Sequence, residues 1–555
     1  MKALKIVGVV LAIAVVAVYF TSDFFIERRL RGELSKLINK DSIGLYTYDF
    51  SGLNLNLVTG SIRLKGIKLY PTEAALDSIK NPTNSIRVLV KASCDEIKME
   101  GFEIKQFLQT GYINIDRFIM KKPTLMYLFN SKKKGNKNSI ALDNVLSRYF
   151  VQADLKYFLI DGASIKVHNI NKDKAIAVFN DVGFHLSHVH IDSTTIKRFS
   201  PFDYENIDFS ARQLVLDLDE EYTISTGKMH FNAKENTTDV SDVKVSPKHS
   251  RENFARRHKF QNAWFALTFK NLAIRNINFE VLIQNGDFII EKLMLKKANL
   301  AVYKDKTKPE PPFKKRHLPV TALKTAPFSL SIDTVEVKNS TITINEKSAL
   351  SNQVGELTFN HLNAHIYDFS NDSAQMKKNK FMLVNANFKI MKAAPVSFQA
   401  KFDLTSPTDK HFVHATVGKT DATVFNKLLS PLLLVKIKSG EILKMDFAYT
   451  ADDNGCEGKM DFEYEDFKID IYNSEEHDKK QGLLSLAANT VIKSTNKKES
   501  GSYSQGVIKT ERAQNKAIFP YIWNAVQSGI VYTMAPIMSD VKKEEKATKK
   551  GTRKN

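Results

Sequence analysis

From Tyr46 onward the dominant hydrophobic period of the chain is two. Leu53, Leu55 and Leu57 alternate with Asn54 and Asn56, and Ile62 and Leu64 alternate with Ser61, Arg63 and Lys65. The phase flips at Gly66, after which Ile67 and Leu69 carry on in the other register. Successive side chains on a strand point to opposite faces, so this pattern predicts half-buried strands. A glycine at a phase flip predicts a bulge that re-aims the strand. The alternation recurs at 112–120, 164–168, 213–218, 223–231, 265–269, 288–295, 330–337, 341–345, 381–390, 397–404, 442–449 and 459–471. One face is mostly Leu, Ile, Val or Phe; the other is mostly Lys, Asn, Asp, Ser or Thr. The expected product is a long antiparallel sheet with one apolar face. A second sheet against that face makes a β-sandwich; a curled sheet leaves the face to lipid chains. Few helices are expected, at 103–109, 142–151, 424–434 and near the C-terminus.

The pattern is itself repeated. Residues 111–125 (GYINIDRFIMKKPTL) align without a gap on 286–300 (GDFIIEKLMLKKANL). Gly111 meets Gly286, Asp116-Arg117 meets Glu291-Lys292, and Lys121-Lys122 meets Lys296-Lys297. Residues 155–168 then match 332–345, and Phe179-Asn180-Asp181 echoes Phe359-Asn360-His361. Tandem self-similarity means one supersecondary block used more than once, which builds a long surface or groove in preference to one compact pocket. The expected division is a membrane anchor at 1–22, a juxtamembrane helix at 23–40, β repeats at 41–210 and 211–380, a β meander at 381–515, an amphipathic helix at 516–538 and a basic tail at 539–555.

The two ends differ from the body. Residues 4–20 (LKIVGVVLAIAVVAVYF) are apolar apart from Lys5, close to the ~20 residues that span a bilayer. The run reads as a retained anchor or a cleaved signal. Ala12-Ile13-Ala14 has cleavage-like spacing but lies inside the run, which favours the anchor. Lys2 and Lys5 on one side and Arg28, Arg29 and Arg31 on the other leave the positive-inside rule nearly balanced. Near the C-terminus Phe519, Ile522, Val526, Ile530, Met534 and Ile537 recur at helical spacing, with Trp523 beside them. Such a helix, followed by a basic tail, suits membrane contact or a lid on an open sheet end. A plain cap over the last strand's edge needs the same helix without the charge.

Charge and chemistry narrow the partners. The chain has 81 Lys and Arg against 61 Asp and Glu, a net charge of +20, which favours anionic partners. Basic loops are expected at 131–138, 246–259 and 304–316. They lack the aromatic interleaving of a nucleic-acid surface, so no nucleic acid is expected. Two cysteines, Cys94 and Cys456, exclude a disulfide framework and a four-Cys zinc site, and they either pair or stay free. No phosphate-binding loop, GxSxG elbow or HExxH occurs. On a regular strand His188 and His190 share a face and His185 points away, with no nearby Cys or paired carboxylate to complete a metal site. No catalytic residue, metal or cofactor is expected, and the chain reads as non-enzymatic.

These features together resemble the AsmA-like family, part of the repeating-β-groove, bridge-like lipid-transfer superfamily of Gram-negative envelopes. The residues that carry the likeness are the single apolar span, 46–71 with its Gly60-x-Ile62-x-Leu64 core, the strand–Lys-Pro–strand step at 113–127, the meander at 440–471 and the terminal helix at 519–538. The resemblance implies an N-terminal transmembrane helix followed by an elongated, curled antiparallel β groove built from tandem repeats of about 175 residues. It implies a single-pass inner-membrane protein with its bulk in the periplasm, carrying phospholipid between the inner and outer membranes and serving outer-membrane biogenesis. Acyl chains would lie on Leu53, Leu55, Leu57, Ile62, Leu64, Ile113, Ile115, Phe288, Ile290, Leu293 and Leu295, with headgroups at a basic rim. Phe519, Ile522, Trp523, Val526, Ile530, Met534 and Ile537 would form the membrane or lid helix, where an envelope protein partner would also dock. The alternative is a membrane-anchored β-sandwich scaffold or assembly factor for envelope proteins.

Overall fold

A computed structural model describes residues 45–56, 59–81, 84, 86–132, 151–195, 202–472 and 492–535. The expected anchor, juxtamembrane helix and basic tail lie outside the described residues, as do Leu57, Ile537 and the helix at 142–151 apart from Val151. The described chain is mainly β, and its strands form an antiparallel-rich sheet. It divides into two compact units. The first runs to Lys244 and includes Phe279–Asn285; the second comprises Val245–Asn278 and the chain from Gly286 onward.

The expectation of an antiparallel sheet is corrected at one step in each unit. Tyr112–Lys121 and Thr124–Phe129 run parallel to Gln152–Asn169, and Phe288–Asp305 runs parallel to Leu330–Lys347. A parallel neighbour needs a crossover of about a dozen residues or more. In the second unit the connection 306–329 supplies it, carrying the short helix Pro319–Lys324 with Val320 and Leu323 buried.

The backbone repeats as the sequence does, and most clearly where it kinks. Between Leu45 and Asn232 nine described residues have positive φ, and between Thr237 and Ser370, with Asn236 just before, there are nine more. They pair one to one. Gly60, Gly66, Gly101, Gly111 and Lys122 correspond to Asn236, Asp242, Asn276, Gly286 and Lys297. Gly162, Asp173, Asp181 and His188 correspond to Asn339, Asn352, His361 and Asp368. The separations lie between 175 (276 − 101) and 180 (361 − 181) residues. Where the first copy has glycine, the second has Gly, Asn or Asp, the residues that tolerate the left-handed region best. The register shifts repeat too: Gln152–Asn169 slips between Ile160, Ala163 and Ile165, and Leu330–Lys347 slips between Val337, Ser340 and Ile342. These are bulges, each inserting one residue and reversing the phase of alternation.

A short helix also repeats, once where no element was expected and once where a basic loop was. Glu73–Lys80 is capped by Thr72, whose hydroxyl accepts from the Ala75 amide at 3.3 Å. Arg251–Arg257 is capped by Ser250, which accepts from Asn253 at 3.2 Å. The second helix corrects the reading of 246–259 as a loop: a Ser N-cap, Glu252 in the first turn and two arginines in the last stabilise a short helix against its macrodipole. The first helix buries Ala75 and Ile79 against Leu89. The second buries Phe254 and sets the Arg251 guanidinium over Trp264 and Tyr303. Trp264 lies 175 residues after Leu89 (264 − 89), so each helix covers the equivalent patch of its own copy.

Candidate functional site

The pairing fixes which residues share the apolar face of the second unit. Strand Phe381–Ile390 pairs with Ala394–Asp403 without interruption. Its even positions Met382, Val384, Phe388 and Ile390 all pack in or against the hydrophobic core. Directly opposed residues lie on the same face. Ile390 faces Phe359, Ala386 faces Ala364 and Val384 faces Ile366. The same ladders continue to Ile342, Val337 and Val335, then to Leu300, Leu295 and Leu293, and on to Leu267, Leu272 and Ile274. A parallel row runs Leu357, Ile344, Val302 and Phe265. Leu295 and Leu300 are five apart, yet the kink at Lys297 brings them to one face.

This continuous apolar face is covered over only part of its extent. Toward the C-terminal strands it is closed: Val413, Met460, Tyr464 and Ile508 are fully buried, and the helix Ile518–Met534 packs over Met460 and Ile508. Over the strands 263–277, 288–305, 330–347 and 354–370 it is half open. Of Phe265, Leu267, Leu300, Val302, Ile342, Ile344, Leu357 and Phe359, Leu357 alone is buried. Two helices stand at the rim of this floor. Asn426–Leu433 reaches it through Leu432, which sits where a side chain on Gly355 would be. Ile518–Met534 reaches it through Phe519, whose ring meets Phe359 at 5.8 Å and 85°.

The helix docks through a seam beside the residues expected on its apolar face. The residues buried along Ile518–Met534 are Tyr521, Ala525, Gly529 and Thr533, one seam at a spacing of four. Small side chains decide this: a Cβ on Gly529 would lie 2.8 Å from Met460 and 3.0 Å from Ile508, so the helix docks there at its closest approach. Val526, Ile530 and Met534 flank the seam, partly buried on the core, and Ile522 is half-buried. Phe519 and Trp523 are exposed, at 39% and 37%.

The other expected lining residues separate by copy. Ile62, Leu64, Ile113 and Ile115 are buried in a closed core, with Leu53 packed against it. The side chain of Leu55 lies outside the described residues. Ile290 is also buried, Leu293 and Leu295 are half-buried, and Phe288 is 36% exposed. Phe288, Ile290, Leu293 and Leu295 stand 175 residues after Ile113, Ile115, Phe118 and Met120, all four of which are buried together. The expected set therefore marks one face of the repeat, closed at this level in the first copy and more open in the second. Sequence reasoning missed the floor residues nearer the hairpin ends, such as Leu300, Val302, Ile342 and Phe359. The phase flip at Lys297 hides them, because a lysine gives no turn signal.

Other candidate chemistry resolves into pairs. The positive φ of His188 breaks the expected alternation. His188 pairs with Glu205 and His190 with Asp154, each at 2.7 Å, while the His185 ring meets that of Tyr157 at 4.5 Å, tilted by 43°. The Asp154 hydrogen bond holds His190 above the ordinary imidazole value. Among the described residues no three His, Cys, Asp or Glu come together as a metal site. Cys94 and Cys456 are free and buried, and burial pushes both thiols up to about 11. No helix among the described residues is long and apolar enough to cross a membrane. No protein-family model matches the chain, and no curated protein matches it.

Proposed function

We propose that this protein is a non-enzymatic, membrane-anchored lipid-binding and lipid-transfer protein. The observation that carries the reading is the half-open floor of Leu267, Leu300, Ile342 and Phe359 with Phe265, Val302 and Ile344, an apolar surface extended over four strands. Contiguous apolar area left in water marks a surface that takes an apolar partner. Acyl chains lie on the floor, and the helix edges bearing Phe519 and Leu432 flank them. The resemblance to AsmA-like proteins supports a curled groove, an inner-membrane anchor at the N-terminus and transport of phospholipid toward the outer membrane. The net charge of +20 supports anionic headgroups.

The test compares a charge on the floor with a charge in a closed core. Leu300→Lys and Ile342→Asp are expected to unfold cooperatively near the wild-type midpoint and to lose bound lipid. Phe118→Asp, at a fully buried site, is expected to cost about 4 kcal/mol or more and to melt the first unit. The anchored-scaffold reading draws on the closed row Met99, Phe118, Phe158, Leu186 and Ile207 of that unit. It gains if the floor variants unfold as Phe118→Asp does.

A further inference from the structure

The floor ends in a lysine. Val302 and Lys304 are two apart on one strand, so they lie on the same face. Lys304 stands opposite Ala263 and beside Glu346 in the ladders that carry Phe265, Val302 and Ile344. In the first copy the equivalent position, 175 residues earlier, is Phe129. An apolar row that ends in phenylalanine in one copy thus ends in an ammonium in the other.

That ammonium is half-buried and makes no ion pair or hydrogen bond among the described residues. Its neighbours are already engaged. Lys306 pairs with Glu346, and Lys516 pairs with Glu310 at 2.6 Å. Burial lowers the Lys304 affinity for its proton first, and the charges of Lys516 and Lys306 lower it further, with Glu346 and Glu310 opposing. Three ammoniums face two carboxylates, which leaves one positive charge uncompensated. A partly desolvated cation is stabilised most by an anion that hydrogen-bonds to it.

Resting on the lipid-binding reading above, we propose that Lys304, with Lys306 and Lys516 beside it, holds the phosphate of an anionic lipid headgroup whose acyl chain lies along Val302 and Ile344. Free phosphate offers the same acceptor oxygens but no use for the adjoining apolar row. The position of the charge at the end of that row selects the lipid.

The experiment incubates full-length protein with vesicles of phosphatidylglycerol and phosphatidylcholine in equal amounts and quantifies the lipid retained by native mass spectrometry. Wild type is expected to retain phosphatidylglycerol about five-fold over phosphatidylcholine. In Lys304→Gln the preference falls to near unity through loss of phosphatidylglycerol while phosphatidylcholine is still retained, and Lys304→Arg keeps the preference. A preference that survives Lys304→Gln overturns the inference and assigns the selectivity to other cations; equal retention of the two lipids by wild type overturns it too and leaves the floor as an unselective surface on which Lys304 reaches water. Failure of wild type to retain either lipid overturns the lipid-binding reading itself. Inorganic phosphate, followed by phosphorus NMR, is expected to show no Lys304-dependent binding; such binding assigns the site to free phosphate and overturns the headgroup assignment.

Discussion

At the scale of single residues, the positions that shape this protein are the ones that kink it. Asn276 holds φ +53 where the first copy has Gly101 at +68, and Lys297 holds +53 where the first copy has Lys122 at +46. Left-handed backbone costs an ordinary L-residue about 1–2 kcal/mol. Asn276→Ala is therefore expected to destabilise the second unit by about 1 kcal/mol, and Lys297→Gly to leave it unchanged or more stable by up to about 1 kcal/mol; urea midpoints measure both. A second residue acts through protonation. His411 is buried, stacks on Phe402 and engages the Asp409 carbonyl at 2.7 Å. Burial holds its affinity for a proton below the ordinary value near 6.5. A depressed folded value means the unfolded chain binds the proton first as pH falls. The stabilisation is present above the unfolded value and is lost as pH drops through it toward the folded one. Between pH 7.5 and 5.5 wild type is expected to lose more stability than His411→Phe, read as the difference in denaturation midpoint. Legibility at this scale was uneven. Gly66 declared its bulge through the phase flip around it, whereas Lys297 and His361 carry the same kink under residue types that give no turn signal.

At the scale of elements, strands were legible and short helices less so. Period two survives in a single strand because each face meets one environment, as Val413 and Ala415 buried beside exposed Phe412 illustrate. Helices of six to eight residues, such as Ser373–Lys378 and Glu73–Lys80, hold too few turns to build a periodic stripe. Their N-caps, Asp372 and Thr72, were the available signal. The longest described helix adds a seam that spacing alone does not show. Large side chains at helical spacing drew the expected face to Phe519 and Ile522, but tight docking selects small ones, Ala525 and Gly529. Gly529→Leu is expected to lift the helix off Met460 and Ile508 and to destabilise by about 2 kcal/mol or more. Trp523→Ala, on the exposed edge, is expected to change stability by less than about 0.5 kcal/mol. Equal losses from the two substitutions, in paired thermal melts, contradict this docking.

At the scale of the whole described chain, one supersecondary block is used twice with its kinks, helix caps and parallel strand pairing intact, and the copies differ in how much of one level of the apolar face is left uncovered. The repeat was legible because its alignment of 111–125 on 286–300 needs no gap. The openness of the second copy was not, because alternation reports that a face is apolar and is silent on what covers it. The difference lies at the level of Phe118 and Met120, buried in the first copy where Leu293 and Leu295 of the second are half-buried; at the level of the floor both copies are half open, Leu125 and Ile165 like Leu300 and Ile342. The account stands on that floor binding lipid. The most direct measurement is native mass spectrometry, with lipid extraction, of full-length protein purified in mild detergent. The account predicts phospholipids co-purifying in stoichiometric amounts with the wild-type chain and their loss from Leu300→Lys. A stable, monodisperse wild-type chain that carries no lipid would contradict it and transfer the floor to a protein partner.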